Sequence, residues 1–480
     1  MKIKRFLEIE KKYDLYNLKE EGINYWMYER FGFWNYTICS VGMDFMSSAP
    51  IKKTSVAGRI KECFCLVWNI MTNSYVPKGT FDICFVAHPR RVKNGEFYEC
   101  IYTEKLMEYF TDSVTLEEPY MRKHFKPVKS KKVIYTDYIL ALGEMSALLH
   151  EKFQTKRYKR IYSSIVCSME AALQEMLDEY KVDIDLKKIY GIFTRRTINM
   201  KLQKKLFKFM LTKMNPKLIV EVTHYDHQCL MINEIAKELG IETLELQHGT
   251  MHDEHAAYQY GTNQPLPQLP DKILTFSEFW SDIIHMPNEA CEIIPVGYPY
   301  YEQQVQKFKK ANANVADKKN ILFLSQGTIG VYLSKLAIEL SEIIDKERYH
   351  IIYKLHPAEY ADWRQRYGEL ENYDITIVDN NEINLYEWFA KSSVQVGAYS
   401  TAIYEGLGFG LLTCIYNIAH ADTMKRLVDY GCAYYVNNGM DIVNIIEKQA
   451  DSNIKTELFW KKNAFENITK YIEKELQSIC

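Results

Sequence analysis

Two short loops hold the side chains most suited to chemistry: Lys354-Leu355-His356-Pro357 and, further along, Ser400-Thr401-Ala402-Ile403-Tyr404-Glu405-Gly406. The first follows a β-type run from Tyr349 to Tyr353. The second follows Val394 to Val396 and opens a helix. Hydroxyls and free backbone N–H groups at a helix N-terminus attract phosphate oxygens, which gives Ser400 and Thr401 a phosphate-binding role. A Ser-Thr pair also serves as a plain N-cap. Glu405, placed on the first turn, can accept hydrogen bonds from ribose hydroxyls. His356, held by Pro357 at a strand end, can donate to a departing phosphate and stabilise its charge, or simply cap its own loop. Lys354 shares a strand face with His356 and adds a cation, unless it is only solvated. Ser325-Gln326-Gly327-Thr328 follows the run Ile321–Leu324, and Gly327 there permits close backbone approach. Together these groups suit a nucleotide mono- or diphosphate.

A second set suits proton transfer. In Gln247-His248-Gly249-Thr250, His248 ends a strand-like run and precedes a glycine that lets the chain turn. An imidazole titrating near neutrality can take the proton of an attacking hydroxyl. His252, Asp253, Glu254 and His255 follow, so one of these carboxylates can orient the imidazole or itself act as base. Asp226, in the loop His224-Tyr225-Asp226-His227, is a reserve base. His252 and His255 lack a cysteine partner at metal-ligand spacing, so no metal site is read here. Arg90 and Arg91, after the run Phe81–Ala87, can grip an acceptor carboxylate or phosphate bidentately.

The elements that must position these residues alternate. Strand signals lie at 81–87, 217–222, 243–246, 272–276 and 292–296, and again at 321–324, 349–353, 375–378, 394–396 and 412–416. A helix is expected over 228–239, with Gly240 at its C-cap. Residues 137–213 are mainly helical, and 454–478 form a last helix. This spacing predicts an α/β protein with parallel sheets and right-handed crossovers. It divides into a first domain at residues 1–300, a polar linker at 301–320, a second domain at 321–453, and a terminal helix at 454–480 returning to the first domain. Two Rossmann-like blocks then face a cleft, where open α/β sheets bind ligands.

Composition sets the outer bounds. Of 480 residues, 47% are hydrophobic and 25% charged, as in a globular protein. Residues 1–240 hold 39 Lys and Arg against 29 Asp and Glu, whereas 241–480 hold 21 against 33. The basic half suits an acidic acceptor or peripheral contact with anionic lipid, and the segment 195–213 combines basic and apolar positions as an interfacial or a packing helix does. Nucleic acid is not an expected partner, because no stacking motifs accompany the basic residues. Eleven scattered cysteines and a charged N-terminus without an apolar core read as a reduced, cytoplasmic protein. No run approaches ~18 apolar residues.

On the four motifs Gln247-His248-Gly249-Thr250, Ser325-Gln326-Gly327-Thr328, Lys354-Leu355-His356-Pro357 and Ser400-Thr401…Glu405-Gly406, the chain resembles two-domain GT-B glycosyltransferases of bacterial surface-polysaccharide synthesis. The similarity spans roughly residues 215–420. It is greatest to the sialyl-, polysialyl- and Kdo-transferases with a His-Pro motif, and teichoic acid polymerases share similar motifs. The resemblance implies a nucleotide-sugar donor, with CMP as the expected activating nucleotide, and a glycan or glycolipid acceptor. It implies no metal and no organic cofactor. The chain lacks the acidic-acidic-glycine triplet that carries the general base in the sialyltransferases. Polyol-phosphate transfer from a CDP-polyol, sugar-nucleotide 2-epimerisation and non-catalytic glycan binding are the alternatives.

Overall fold

The computed structural model describes residues 2–39, 67–68, 71, 79–88, 91–120, 124–130, 132–287, 291–311, 319–448 and 456–479. Fifteen strands among them are β1 (Ile83–Val86), β2 (Val92–Asn94), β3 (Phe97–Glu99), β4 (Ser113–Glu117), β5 (Val133–Tyr135), β6 (Leu218–Val222), β7 (Glu242–Leu246), β8 (Lys272–Thr275), β9 (Glu292–Pro295), β10 (Lys319–Leu324), β11 (Tyr349–Lys354), β12 (Ile375–Val378), β13 (Ser392–Gly397), β14 (Leu412–Tyr416) and β15 (Tyr434–Val436). All but β2 and β3, which form a small hairpin, belong to two parallel sheets.

The first sheet has seven strands in the order β5-β4-β1-β6-β7-β8-β9, and the second has six in the order β12-β11-β10-β13-β14-β15. These are two Rossmann-like domains, as the strand–helix alternation requires. Both faces of each sheet are covered, so their strands read as continuous apolar runs rather than alternating ones. Ile83, Phe85, Leu218, Val220, Leu244 and Leu274 share one core cluster in the first domain; Ile321, Phe323, Ile351, Val394 and Cys414 share one in the second.

Several elements differ from expectation. Strands β4 and β5 add two members that the 91–136 stretch does not announce, because they are short and the sequence between them is Lys-rich. In the polar segment 302–319, the residues up to Ala311 belong to the helix Pro299–Ala311, and 312–318 lie outside the described residues. Residues 195–213 fall within the long helix Leu186–Met214, whose Phe193, Ile198, Phe207, Met210 and Met214 are buried, so this is a packing helix. The last helix, Ala464–Ile479, lays Ile468 and Ile472 against Leu218, Leu244 and Val296 of the first domain.

The N-terminal segment forms helices Lys2–Lys12 and Tyr25–Phe33. A buried ion pair joins them: Arg30 Nε lies 2.6 Å and Nη2 2.9 Å from Glu10 carboxylate oxygens. Trp26 Nε1 and Tyr16 Oη also donate to Glu10, at 2.7 and 2.6 Å. Arg30 in turn donates to the carbonyls of Ala256 and, at 2.7 Å, Gln259. The opening helices therefore brace the chain just beyond the loop at 247–255.

Candidate functional site at the facing sheet edges

In each parallel sheet the strand order reverses once, between β1 and β6 in the first and between β10 and β13 in the second. The loops leaving the carboxyl ends of such a pair diverge and leave a crevice, the usual ligand site of open α/β sheets. The first reversal is bordered by His88 and by Tyr225 and Asp226. The second is bordered by Gln326–Thr328 and by Tyr399–Thr401. Across the gap, the Thr250 N–H approaches Thr401 Oγ1 at 3.4 Å, so the QHGT loop of one domain meets the helix N-terminus of the other.

His248 leaves β7 into this crevice. Its Nε2 lies 3.1 Å from Tyr225 Oη, and its carbonyl accepts from Tyr102 Oη at 2.6 Å. Its Nδ1 is buried with no hydrogen-bond partner. Its ring stacks on His88 with centroids 6.0 Å apart. Burial pulls the His248 pKa down to about 4, against the opposing attraction of Glu245. The expected titration near neutrality is thus displaced by desolvation, and the ring is neutral at pH 7. Beneath it, His224 shows the opposite balance. Burial lowers its pKa, but Glu245, 2.7 Å from Nδ1, more than offsets this and raises it.

The carboxylates after His248 are committed elsewhere. Asp253 is bound by Arg426 of the second domain, and Glu254 accepts from the Lys2 N–H at 2.7 Å. Neither stands beside His248 as orienter or base. A different acid pair was not legible in the sequence: Glu118, just past β4, is hydrogen-bonded to Asp226. Burial, with Asp226 adding to it, holds the Glu118 carboxyl well above the usual range. Asp226 also caps the helix His227–Leu239, accepting from Gln228 N–H at 2.6 Å.

In the second domain Ser400 caps the helix Thr401–Gly408, its Oγ accepting from the Ala402 N–H at 3.2 Å. Glu405 lies one turn deeper than expected, beyond the first turn. Its carboxylate accepts from Tyr386 Oη at 3.0 Å, and burial pushes its pKa up to about 7 although that hydrogen bond opposes the shift. Thr328 Oγ1 lies 2.9 Å from Tyr399 Oη, which ties the two reversal loops of the second sheet together. Gln326 Oε1 is buried without a partner. A Cβ at Gly327 would meet nothing within 4 Å, so this glycine leaves open space rather than relieving a clash.

His356 caps its own turn. Its Nδ1 accepts from Ala358 N–H at 3.2 Å, its N–H donates to Glu359 at 3.0 Å, and Pro357 begins the turn beyond it. Glu359 is the hub that sequence reading missed: it also accepts from Ser325 Oγ at 3.1 Å and Tyr367 Oη at 2.6 Å. Lys354 is not a free cation. It is buried and donates to the carbonyls of Leu355 and Asn380, both at 3.0 Å, and to Tyr360 Oη at 2.5 Å. Burial lowers its pKa to about 8, against Asp379 and Glu359.

Arg91 is likewise withdrawn from any acceptor. Its guanidinium is buried against Glu117 and Glu104, with Nε 2.7 Å from Glu117 and Nη1 3.1 Å from Glu104. Arg90 lies outside the described residues. Among the described residues no three His, Cys, Asp or Glu side chains are grouped to hold a metal ion, and no helix is long and apolar enough to cross a membrane.

Tyrosines line the crevice between His248 and Glu405. Tyr102 stacks on Tyr298 at 5.5 Å, Tyr300 meets Tyr386 at 6.1 Å, and Tyr301 Oη donates to the Glu405 carbonyl at 2.8 Å. The strand-end sequence Tyr298-Pro299-Tyr300-Tyr301 was the available signal for this wall.

No protein-family description matches the chain, and no curated protein matches it in sequence. Solved structures do match in fold. A protein described as a putative UDP-N-acetylglucosamine 2-epimerase from Listeria monocytogenes superposes with a TM-score of 0.50 at 9% identity, over 83% of this chain and 98% of that one. The UDP-GlcNAc 2-epimerase of Methanocaldococcus jannaschii gives 0.49 at 12%, over 83% and 100%. The wall teichoic acid polymerase TagF gives 0.40 at 11%, over 88% and 99%. At such identities the likeness concerns the fold, which is the GT-B arrangement.

Proposed function

We propose that this protein is a glycosyltransferase that takes a sugar from a nucleotide donor, CMP-activated in the first instance, and passes it to an acidic or lipid-linked glycan of a surface polysaccharide. The observation that carries the reading is the meeting of both sheet reversals in one crevice, with His248 on one wall and the helix beginning at Ser400 and Thr401 on the other. The donor phosphate would lie against Ser400, Thr401 and the first free N–H groups of that helix. Gln326, Gly327 and Thr328 would border it, and His356 with Pro357 would stand at the next strand end. Glu405 would accept from sugar or ribose hydroxyls as a carboxylate.

His248 would receive the proton of the attacking hydroxyl at Nδ1, with Nε2–H donated to Tyr225. A neutral imidazole is ready to accept, although its low pKa makes it a modest base. The Glu118–Asp226 pair is the reserve, since two carboxyls in contact hold one proton between them and leave one acceptor.

A second enzyme reading comes from the neighbours named as 2-epimerases: the same crevice would then release an isomerised sugar without an acceptor.

Thermal unfolding with CMP, CDP, UDP, GDP and dTDP tests the donor class. A nucleotide at 100 times its dissociation constant adds about 2.7 kcal/mol of stability. One nucleotide should stabilise the wild type and lose most of its effect in Thr401→Val and His356→Ala. Product analysis with a labelled donor, with and without acceptor, then separates transfer from epimerisation. If no nucleotide shifts the midpoint, the nucleotide-sugar reading fails.

A further inference from the structure

The helix Asp137–Lys152, which follows β5 at the edge of the first sheet, is covered on one side only. Its inner side meets the helix Leu186–Met214. There Gly143 and Ala147 are buried, and a Cβ on Gly143 would fall 2.2 Å from Asn199 Oδ1. The helix's carboxylates are paired along that side. Glu144 pairs with Arg195 and accepts from Asn199 at 3.1 Å, Glu151 lies 3.4 Å from Arg195, and Asp137 lies 2.8 Å from His124.

The outer side carries Leu142, Met145, Leu148, Leu149 and, one residue past the helix, Phe153. All are exposed, Met145 at 57% and Phe153 at 68%. Their spacing places them along one stripe of the helix. Large apolar side chains gathered this way on a surface mark an interaction face. Its chemistry is specified by the rim. Lys152, Lys156 and Lys159 are exposed where the stripe ends, beside Arg157 and Arg160, which Glu20 and Glu21 already hold.

We propose that this face docks on an anionic lipid surface, with the helix lying in the headgroup plane, its apolar stripe inserted and its lysines on lipid phosphates. A second copy of the chain is the poorer occupant, because the same face would offer those lysines no acidic partner. This holds whether or not the enzyme reading above is correct.

The test is flotation of the full chain with vesicles of phosphatidylcholine alone or mixed with phosphatidylglycerol, beside sedimentation velocity without lipid. The wild type should float with the mixed vesicles only and sediment as the same species as its variants. Met145→Ser/Leu149→Ser and Lys152→Glu/Lys156→Glu/Lys159→Glu should each lower the bound fraction about tenfold with unchanged melting temperatures, the first through lost insertion and the second through lost charge. Absence of flotation, equal flotation with both vesicles, or binding unchanged in both variants overturns the proposal. So does a wild-type dimer that Met145→Ser/Leu149→Ser dissociates, which would assign the face to a second copy.

Discussion

The Asp253 carboxylate holds the Arg426 guanidinium with both oxygens, Oδ1 at 2.9 Å from Nη2 and Oδ2 at 3.1 Å from Nε, across the two domains. Both side chains are about one-third exposed, so the pair adds little to stability; a surface pair is worth about 0–1 kcal/mol. Its geometric effect is larger, since it stands three residues beyond the Thr250–Thr401 contact. Arg426→Ala should therefore leave the unfolding midpoint nearly unchanged while raising KM several-fold, and steady-state kinetics beside calorimetry check this.

Glu405 gives stability a pH dependence with a defined sign. Its carboxyl titrates at about 7 in the folded chain against an ordinary 4.5. Between those values the folded state keeps a proton that the unfolded state releases, so stability falls as pH rises through this window. Glu405→Gln abolishes that loss. The variant should melt higher than wild type at pH 8, by an amount on the order of 2 kcal/mol after allowance for partial exposure, and the difference should vanish below about pH 4.5.

If His248 is the base, kcat/KM should stay level down to mildly acidic pH and fall only as pH approaches about 4, where the ring protonates. A limb at higher pH would assign the proton to one of the carboxyls that burial raises, Glu118 or Glu405. Comparing pH profiles of wild type, His248→Gln, Glu118→Gln and Glu405→Gln decides among them.

The Glu10–Arg30 pair is fully enclosed, so removing one partner strands the other charge. Arg30→Ala should cost about 3–5 kcal/mol and loosen the chain at Ala256–Gln259, which Arg30 holds. Chemical denaturation gives the first quantity, and amide exchange across 247–260 the second.

Gly408 sits where the helix bearing Ser400 and Glu405 leans on Tyr301, and a Cβ there would fall 1.4 Å from Tyr301 Oη. Gly408→Ala should cost about 1–3 kcal/mol or more by overpacking. Adding Tyr301→Ala should recover part of that loss, a non-additivity that a double-mutant cycle would show.

The parallel sheets were legible because buried strands leave continuous apolar runs: β12 and β14 fall on the residues expected, and five motif loops leave strand ends as read. Strands β4 and β5, and with them Glu118, were not legible, since strands this short carry no periodic signal. The site was legible by residue type but not by commitment. Lys354, Arg91 and Asp253 look like free charges in sequence, yet each is occupied by groups distant along the chain. Sequence spacing cannot report a partner such as Arg426, and it cannot report the desolvation that displaces His248 from neutrality.

Because the final helix rests on the first sheet, the chain passes between the domains twice, once before β10 and once after the last strand of the second sheet. The second domain is thus an insertion, joined to the first by two passages of chain and by a shared core in which Trp280 and Trp460 pack against Tyr404. Two connections and a common core resist swivelling of one sheet against the other. Severing the chain between residues 449 and 455 should release part of that restraint without unfolding either sheet.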